Sequence, residues 1–263
     1  MLPVLKLYKN LGETPLECLE RFRAQNLEYK DLPMTYAGRL DPMAEGVLLV
    51  LTGDECKKKE EYLGLDKEYE VEVLFGFSTD TYDILGKLQK IDANIQMHTD
   101  DKTLILNILK TFVGKFEQEY PPYSSKTVNG SSLHAIARSG ESIEKMPTKE
   151  VEIFSIKYLG NRELFAKKLL SVIKERIVMV NGDFRQEETL NLWKNVLEKS
   201  HNNPPPYSRA GFQIVKIKVS CSSGTYMRSL AHNIGKKLSM PALAFSIVRT
   251  SVGVFKIDRN FES

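Results

Sequence analysis

Three short stretches of this chain carry the side chains able to do chemistry. The first is YAGRLDPMAEGVLLV, residues 36–50, where Asp41 stands between Leu40 and Pro42, with Arg39 just before them. Proline pushes the residue before it out of the helical region into extended backbone. The Asp41 side chain would therefore stand off a loop, with the aliphatic run behind it as anchor. A carboxylate held in this way can act as a nucleophile, a base or a metal ligand. Asp-Pro is also an ordinary turn starter, so this stretch alone leaves a structural turn equally open.

The second stretch, GFSTDTYDILG at residues 76–86, offers Asp80 and Asp83. They could share a metal, or they could belong to a polar turn between strands. Their spacing does not fit a calcium loop. The third is CSSGTYMRSLAHNIG, residues 221–235. A strand ends at Cys221, a Ser-Gly turn follows, and Tyr226 and Arg228 fall on the first turns of a helix. An arginine there could reach a carboxylate of another segment and pair with it through two nitrogens. It could equally be a surface arginine.

Composition narrows the field. The four histidines, His98, His134, His201 and His232, are scattered and read as surface or capping residues. Cys18, Cys56 and Cys221 make neither a disulfide framework nor a zinc site, which points to a reducing, cytoplasmic setting. There is no Gly-rich phosphate loop and no nucleophilic Ser–His pattern. No apolar run approaches membrane-spanning length, and MLPVLKLYKN lacks the shape of a leader. A net charge of +3 is too small to identify a nucleic-acid binder, although 37 Lys and Arg could gather on one face. Lys57-Lys58-Lys59 reads as a solvated helix face.

The elements that must position these residues are also legible. Thr14 and Glu17 form a capping box, with Pro15 at the first helical position, so a helix follows. The run from Ala44 to Leu51 is expected to be a short helix, and residues 54–62 a charged one. KEYEVEVLF alternates, with Tyr69, Val71, Val73 and Phe75 on one face and three glutamates on the other, which predicts a half-buried strand. Residues 149–159, 211–222 and 243–257 read as strands, and residues 131–140, closed by Gly140, and 224–238 as helices. Between residues 161 and 208 the character changes. Two amphipathic stretches flank an Asn181-Gly182 turn signal, and Pro204-Pro205-Pro206 breaks the chain. Strands and helices mix without regular βαβ spacing, which predicts an α+β fold.

Taken together, the three chemical stretches resemble the TruB pseudouridine synthases. AGRLDPMAEGVLLV is similar to the family's Gly-x-Leu-Asp-Pro motif. KEYEVEVLFGFSTDTYDILG is similar to its Lys-x-Tyr and Thr-Asp-Thr-x-Asp motif, and CSSGTYMRSLAHNIG to its arginine motif. KNLGETP, YPPYSSKTVNGSSLHAIARSG and VRTSVGVF add weaker matches, all in family order. The resemblance covers most of the chain outside 161–208. It implies a pseudouridine synthase fold, with a central mixed or antiparallel sheet flanked by helices. A single catalytic domain over residues 1–263 is expected; as departures from the family pattern it would carry a helical insertion at about 161–208 and lack the RNA-binding PUA domain into which TruB proteins continue.

The implied chemistry is isomerisation of uridine to pseudouridine, most directly at T-loop position 55 of tRNA, without a metal or other cofactor. Asp41 would be the nucleophile on the ribose or the base, Arg228 its charge partner, and Tyr69 the platform under the flipped uracil. Lys9, Tyr36, Arg39, Lys67, Asp80 and Tyr226 would bind substrate. The family usually has a histidine where this chain has Tyr36, in contact with the T-loop, and KNLG replaces a usual Lys-Pro. GRLD is closer to the RsuA and RluA synthases, which act largely on ribosomal RNA, so another RNA site is the alternative target. A non-catalytic RNA-binding or RNA-folding protein on the same scaffold is the alternative class. The partner expected is RNA, with no membrane, and the chain is expected to be a monomer. The 161–208 segment either packs on the body or meets RNA phosphates through Lys167, Lys168, Lys174, Arg176, Lys194 and Lys199.

Overall fold

The computed structural model describes residues 2–92, 101–141, 143–202 and 211–257. His98 and Pro204-Pro205-Pro206, and the side chains of Lys199 and His201, lie outside the described residues. In chain order the first elements are β1 (Val4–Lys9), α1 (Pro15–Gln25), β2 (Met34–Ala37), β3 (Ala44–Thr52), α2 (Lys59–Leu63), β4 (Lys67–Phe75), β5 (Phe77–Thr79) and β6 (Leu88–Ile91). The middle holds α3 (Asp101–Lys110), β7 (Gly114–Glu119), β8 (Thr127–Val128), β9 (Ser131–Ser132), α4 (Leu133–Ser139) and β10 (Thr148–Leu164). Then come α5 (Ala166–Val178), α6 (Gln186–Asn202), β11 (Phe212–Cys221), α7 (Met227–Lys237), β12 (Ala242–Val252) and β13 (Phe255–Lys256).

One mixed sheet organises them in the order β1-β3-β12-β4-β11-β10-β7, with β2 on β3 and β13 on β12. All its pairings are antiparallel except β12 with β3. The fold is α+β, as the sequence predicts. The capping box forms: Glu17 N donates to Thr14 Oγ1 at 3.2 Å, and Thr14 N to Glu17 Oε2 at 2.7 Å. On β4, Tyr69, Val71, Val73 and Phe75 are buried, while Lys218, Lys216 and Arg162 pair with Glu68, Glu70 and Glu72 on the other face.

The run from Ala44 to Leu51 is strand, not helix. Val47, Leu48, Leu49, Val50 and Leu51 are all at most 1% exposed, because β3 lies between β1 and β12 with both faces covered. A strand buried on both sides loses the alternation that would announce it. Gly46 also has φ +112, a value that no α-helix contains. The charged segment after it is shorter than expected as well: residues 53–58 form a 3-10 turn before the five-residue α2.

Two clusters cover the sheet. α3 and α7 pack Ile105, Leu109, Leu230 and Ile234 against Val71, Val73, Val215 and Ile217. α5 and α6 pack Leu169, Ile173, Trp193 and Leu197 against Leu74, Ile214, Leu243 and Phe245. Residues 161–164 continue β10, so the α5–α6 segment starts after Leu164 and precedes β11, the hydrogen-bonded neighbour of β10. Trp193 is fully buried, lies edge-on to Phe77 at 5.1 Å, and donates Nε1–H to Ile84 O at 3.0 Å. Trp193→Ala is expected to cost about 3–5 kcal/mol and to lower Tm by roughly 10 °C in calorimetry. A loss below about 1 kcal/mol would mean that α6 is not part of the core.

Candidate active site

Asp41 sits in the turn between β2 and β3. Its neighbours Leu40 and Met43 are buried and hold the turn to the core. Ala44 N donates to Asp41 O at 2.9 Å, and Gly12 N donates to Pro42 O at 2.9 Å, so the loop before α1 braces it from outside. That loop is in turn held by Lys9. Its fully buried Nζ donates to Asn10 O at 2.9 Å and to Glu13 O at 2.5 Å. Burial pushes the Lys9 ammonium down to about 8.

Arg249 does the same work from inside. It is 1% exposed, on β12, and donates from Nε to Val47 O at 2.7 Å, and from Nη1 and Nη2 to Arg39 O and Gly38 O at 3.2 Å each. One guanidinium thus staples both flanks of the Asp41 loop. Gly46 is needed here: a Cβ on it would come within 2.3 Å of Arg249 O. The quoted VRTSVGVF stretch contained Arg249 but assigned it no role. The readable signal was a lone charged residue in an otherwise uncharged strand.

The Asp41 carboxylate accepts from Arg228 Nε at 2.8 Å; its side chain is 40% exposed, against 4% for Arg228. The carboxylate therefore faces solvent space while its partner is sealed behind it. The expected two-nitrogen fork onto Asp41 does not form. Arg228 Nη1 donates to Thr81 O at 2.7 Å and Nη2 to Tyr123 O at 3.0 Å. Two loops take the ends of the guanidinium and aim Nε at Asp41. Asp83 Oδ2 also lies 3.8 Å from Arg228 Nε. Asp83 is buried and accepts from Thr81 Oγ1 at 2.6 Å and Leu85 N at 3.0 Å. Burial pushes its carboxyl up to about 6, against the pull of Arg228. Asp80 and Asp83 are thus committed to different arginines rather than to one shared ion.

Tyr69 lies on β4 between Val219 and Arg249, buried in the cluster that includes Leu40 and Ala44. Burial raises its phenol, and the Asp41 charge adds to that direction. Tyr226 caps α7. Its N–H donates to Gln118 Oε1 at 2.7 Å, and its carbonyl accepts from Gln118 Nε2 at 3.1 Å. Burial, with Asp41 next, pushes its phenol up to about 12. Its ring meets Tyr120 edge-on at 5.3 Å, with Lys126 Nζ 5.6 Å above Tyr120. Arg39 is exposed beside the Asp41 turn.

Asp41, Arg228, Tyr69 and Tyr226 therefore converge. Three other residues are placed differently. Lys67 Nζ donates to Leu63 O at 2.7 Å, Leu65 O at 2.5 Å and Ser223 Oγ at 3.2 Å, using its donors within the protein. Tyr36 packs beside Leu5, Leu48 and Val50, with Lys59 Nζ 5.6 Å from its ring. Asp80 is held by Arg185 Nη1 at 2.8 Å and by Lys87 N at 2.8 Å. His232 is not a surface residue: it is partly buried and stacked on Tyr82 at 3.9 Å, and burial pushes it down to about 4. On α5 Arg176 donates to Phe245 O at 2.5 Å and lies 4.5 Å over the Phe245 ring, so it is withdrawn from phosphate contact. Lys167, Lys168 and Lys174 are exposed, and Lys194 is half-buried.

Solved structures with the same arrangement of elements identify the fold. The chain is similar to the one in "Crystal Structure of a Cbf5-Nop10-Gar1 Complex", with a TM-score of 0.56 and 19% identity over 97% of this chain and 50% of that one. "Structure of H/ACA RNP bound to a substrate RNA containing 2'-deoxyuridine" gives a TM-score of 0.53 at 19% identity over 97% of this chain and 49% of that one. The chain has the pseudouridine synthase fold, with the Asp41 turn leading into β3 where Ala44 pairs with Ile247, midway along β12.

The sequence narrows this further. Residues 28–175 match the profile of the TruB family pseudouridylate synthase (N terminal domain). The chain is 31% identical to "tRNA pseudouridine synthase B" of Oceanobacillus iheyensis over 96% of its length and 66% of that protein. It is 30% identical to the protein of the same name from Bacteroides fragilis over 97% of its length and 88% of that protein. The chain belongs to the TruB family of pseudouridine synthases.

Proposed function

We propose that this chain isomerises uridine to pseudouridine in tRNA, at position 55 of the T-loop, with Asp41 as nucleophile. The observation that carries the reading is the Asp41–Arg228 contact at 2.8 Å, with Arg228 sealed and Asp41 open. The buried guanidinium pairs with the carboxylate and aims it, as nucleophilic attack requires. The names of the bacterial relatives support tRNA as the substrate.

Isomerisation breaks the C1′–N1 bond and forms a C1′–C5 bond; the C5 proton leaves and N1 takes up a proton. The uridine must first leave the stack, at a cost of a few kcal/mol. The Asp41 carboxylate either attacks C1′ and expels the uracil through N1, or adds to the base before the C1′–N1 bond breaks. The bond to Asp41 breaks again as the C1′–C5 product is released, and either route needs the carboxylate charged and aimed. Tyr69 stacks against the detached uracil and keeps it beside the ribose. Tyr226 and Tyr120 wall the other side and limit water.

Release of tritium from C5-labelled uridine in transcribed tRNA tests the activity. Release at one equivalent per tRNA is expected, and no release from tRNA would overturn the proposal. In the non-reacting Asp41→Asn background, Tyr69→Phe should bind tRNA as well as its parent. Tyr69→Ala should bind about 5- to 100-fold more weakly, because base stacking is worth ~1–3 kcal/mol. Equal binding by all three in a filter assay would return Tyr69 to a core role alone.

A further inference from the structure

The segment between β10 and β11 does more than cover one face of the sheet. Its α6 is anchored on the loop after β5: Thr189 Oγ1 donates to Leu85 O at 3.2 Å and Trp193 Nε1 to Ile84 O at 3.0 Å. Just before α6, Arg185 adopts φ +63, a rare backbone state for a side chain of its size. The turn is built to hold it there. Arg185 N donates to Asp183 Oδ1 at 3.3 Å, Phe184 N to Gln186 Oε1 at 2.9 Å, and Gln186 Nε2 to Val180 O at 2.9 Å. Arg138 on α4 donates to Asp183 O at 2.5 Å, tying the turn to the middle of the chain.

So placed, Arg185 grips two residues at once. Its Nη1 and Nη2 lie 2.8 and 3.4 Å from Asp80 Oδ2 and Oδ1, and both side chains are 18% exposed. The flat of its guanidinium lies 4.6 Å over the Tyr123 ring. Asp80 immediately precedes Thr81, and the carbonyls of Thr81 and Tyr123 are the two that hold Arg228 Nη1 and Nη2. The outer arginine therefore clamps the two loops whose carbonyls set the plane of the inner one. Only arginine can fork onto a carboxylate and stack on a ring together.

We propose that Arg185 is a positioning residue, through which the α5–α6 segment fixes Arg228 and so aims Asp41. This rests on the reading of Asp41 and Arg228 as the reacting pair. The full chain carrying Arg185→Ala, Arg185→Lys or Asp80→Asn tests it, with transcribed tRNA as substrate. Arg185→Ala should lower the single-turnover rate at saturating tRNA about ten- to a hundredfold, the usual scale for a slight misalignment of reacting groups. The Kd for tRNA should stay within about threefold. Amide exchange at residues 79–87 and 120–126 should quicken in the free protein.

Arg185→Lys should recover part of the rate, and Arg185→Ala with Asp80→Asn should be no slower than either alone, since both break one contact. A folded Arg185→Ala protein with wild-type rate and unchanged exchange would overturn the proposal. So would a weaker Kd with an unchanged saturated rate, which would make Arg185 an RNA contact instead. If the wild-type chain forms no pseudouridine, the functional reading falls by itself. The exchange experiment then still decides the clamp, with quicker exchange supporting it and unchanged exchange overturning it.

Discussion

Asp41→Asn is expected to abolish turnover, by roughly ten-thousand-fold or more, while leaving the fold and tRNA binding nearly as they are. The exchange keeps the size of the side chain and one acceptor oxygen for Arg228 Nε, now at 2.8 Å from the carboxylate. It removes the charge and the nucleophile. The buried Arg228 keeps Asp83 Oδ2 at 3.8 Å and the Thr81 and Tyr123 carbonyls, so its charge is not left without partners. The loop itself is fixed by other bonds, chiefly those from Arg249 to Gly38, Arg39 and Val47. Tritium release measures the rate, and circular dichroism with a thermal melt checks the fold. An Asp41→Asn protein within tenfold of wild type would remove Asp41 from the nucleophile's role.

Arg228→Ala should be nearly as severe, and for a different reason. It deletes the charge beside Asp41 and leaves the Thr81 and Tyr123 carbonyls without their donors. It also leaves the buried Asp83 without its cation, so that carboxyl should rise further from about 6. Breaking a buried charge pair costs ~3–5 kcal/mol, or roughly a hundred- to several-thousand-fold in rate if it is felt at the reacting atoms. Arg228→Lys should recover only a small part. A single ammonium cannot serve Asp41, Thr81 O and Tyr123 O in the three fixed directions that the guanidinium spans. Equal rates for Arg228→Lys and wild type would show that only charge, and not direction, matters at this position.

The chemical residues were more legible in the sequence than the struts that hold them. Pro42 and the aliphatic run left Asp41 open to a plain turn, and the turn before its helix left Arg228 open to a surface role; the family resemblance of the three stretches together singled them out. β4 was readable because one of its faces is covered by glutamates. β3 was not, because burial on both sides left only an unbroken apolar run, which a buried helix would also show. The fork expected between Arg228 and Asp41 failed because the competing acceptors are backbone carbonyls 147 and 105 residues away in sequence, which no local pattern reveals. Lys9 and Lys67 look in sequence like cations for a ligand. In the fold both are buried and donate to backbone carbonyls. Arg185 lay in a segment whose two apolar stripes were visible, whereas its grip on Asp80 and Tyr123 depends on how α5 and α6 meet the β5–β6 loop.

The most direct test of the whole account is chemical mapping of pseudouridine in transcribed tRNA after incubation with the full chain. We expect one new pseudouridine, at position 55 of the T-loop, with wild-type protein and none with Asp41→Asn. Pseudouridine at other tRNA positions, in ribosomal RNA alone, or equally with Asp41→Asn would contradict it.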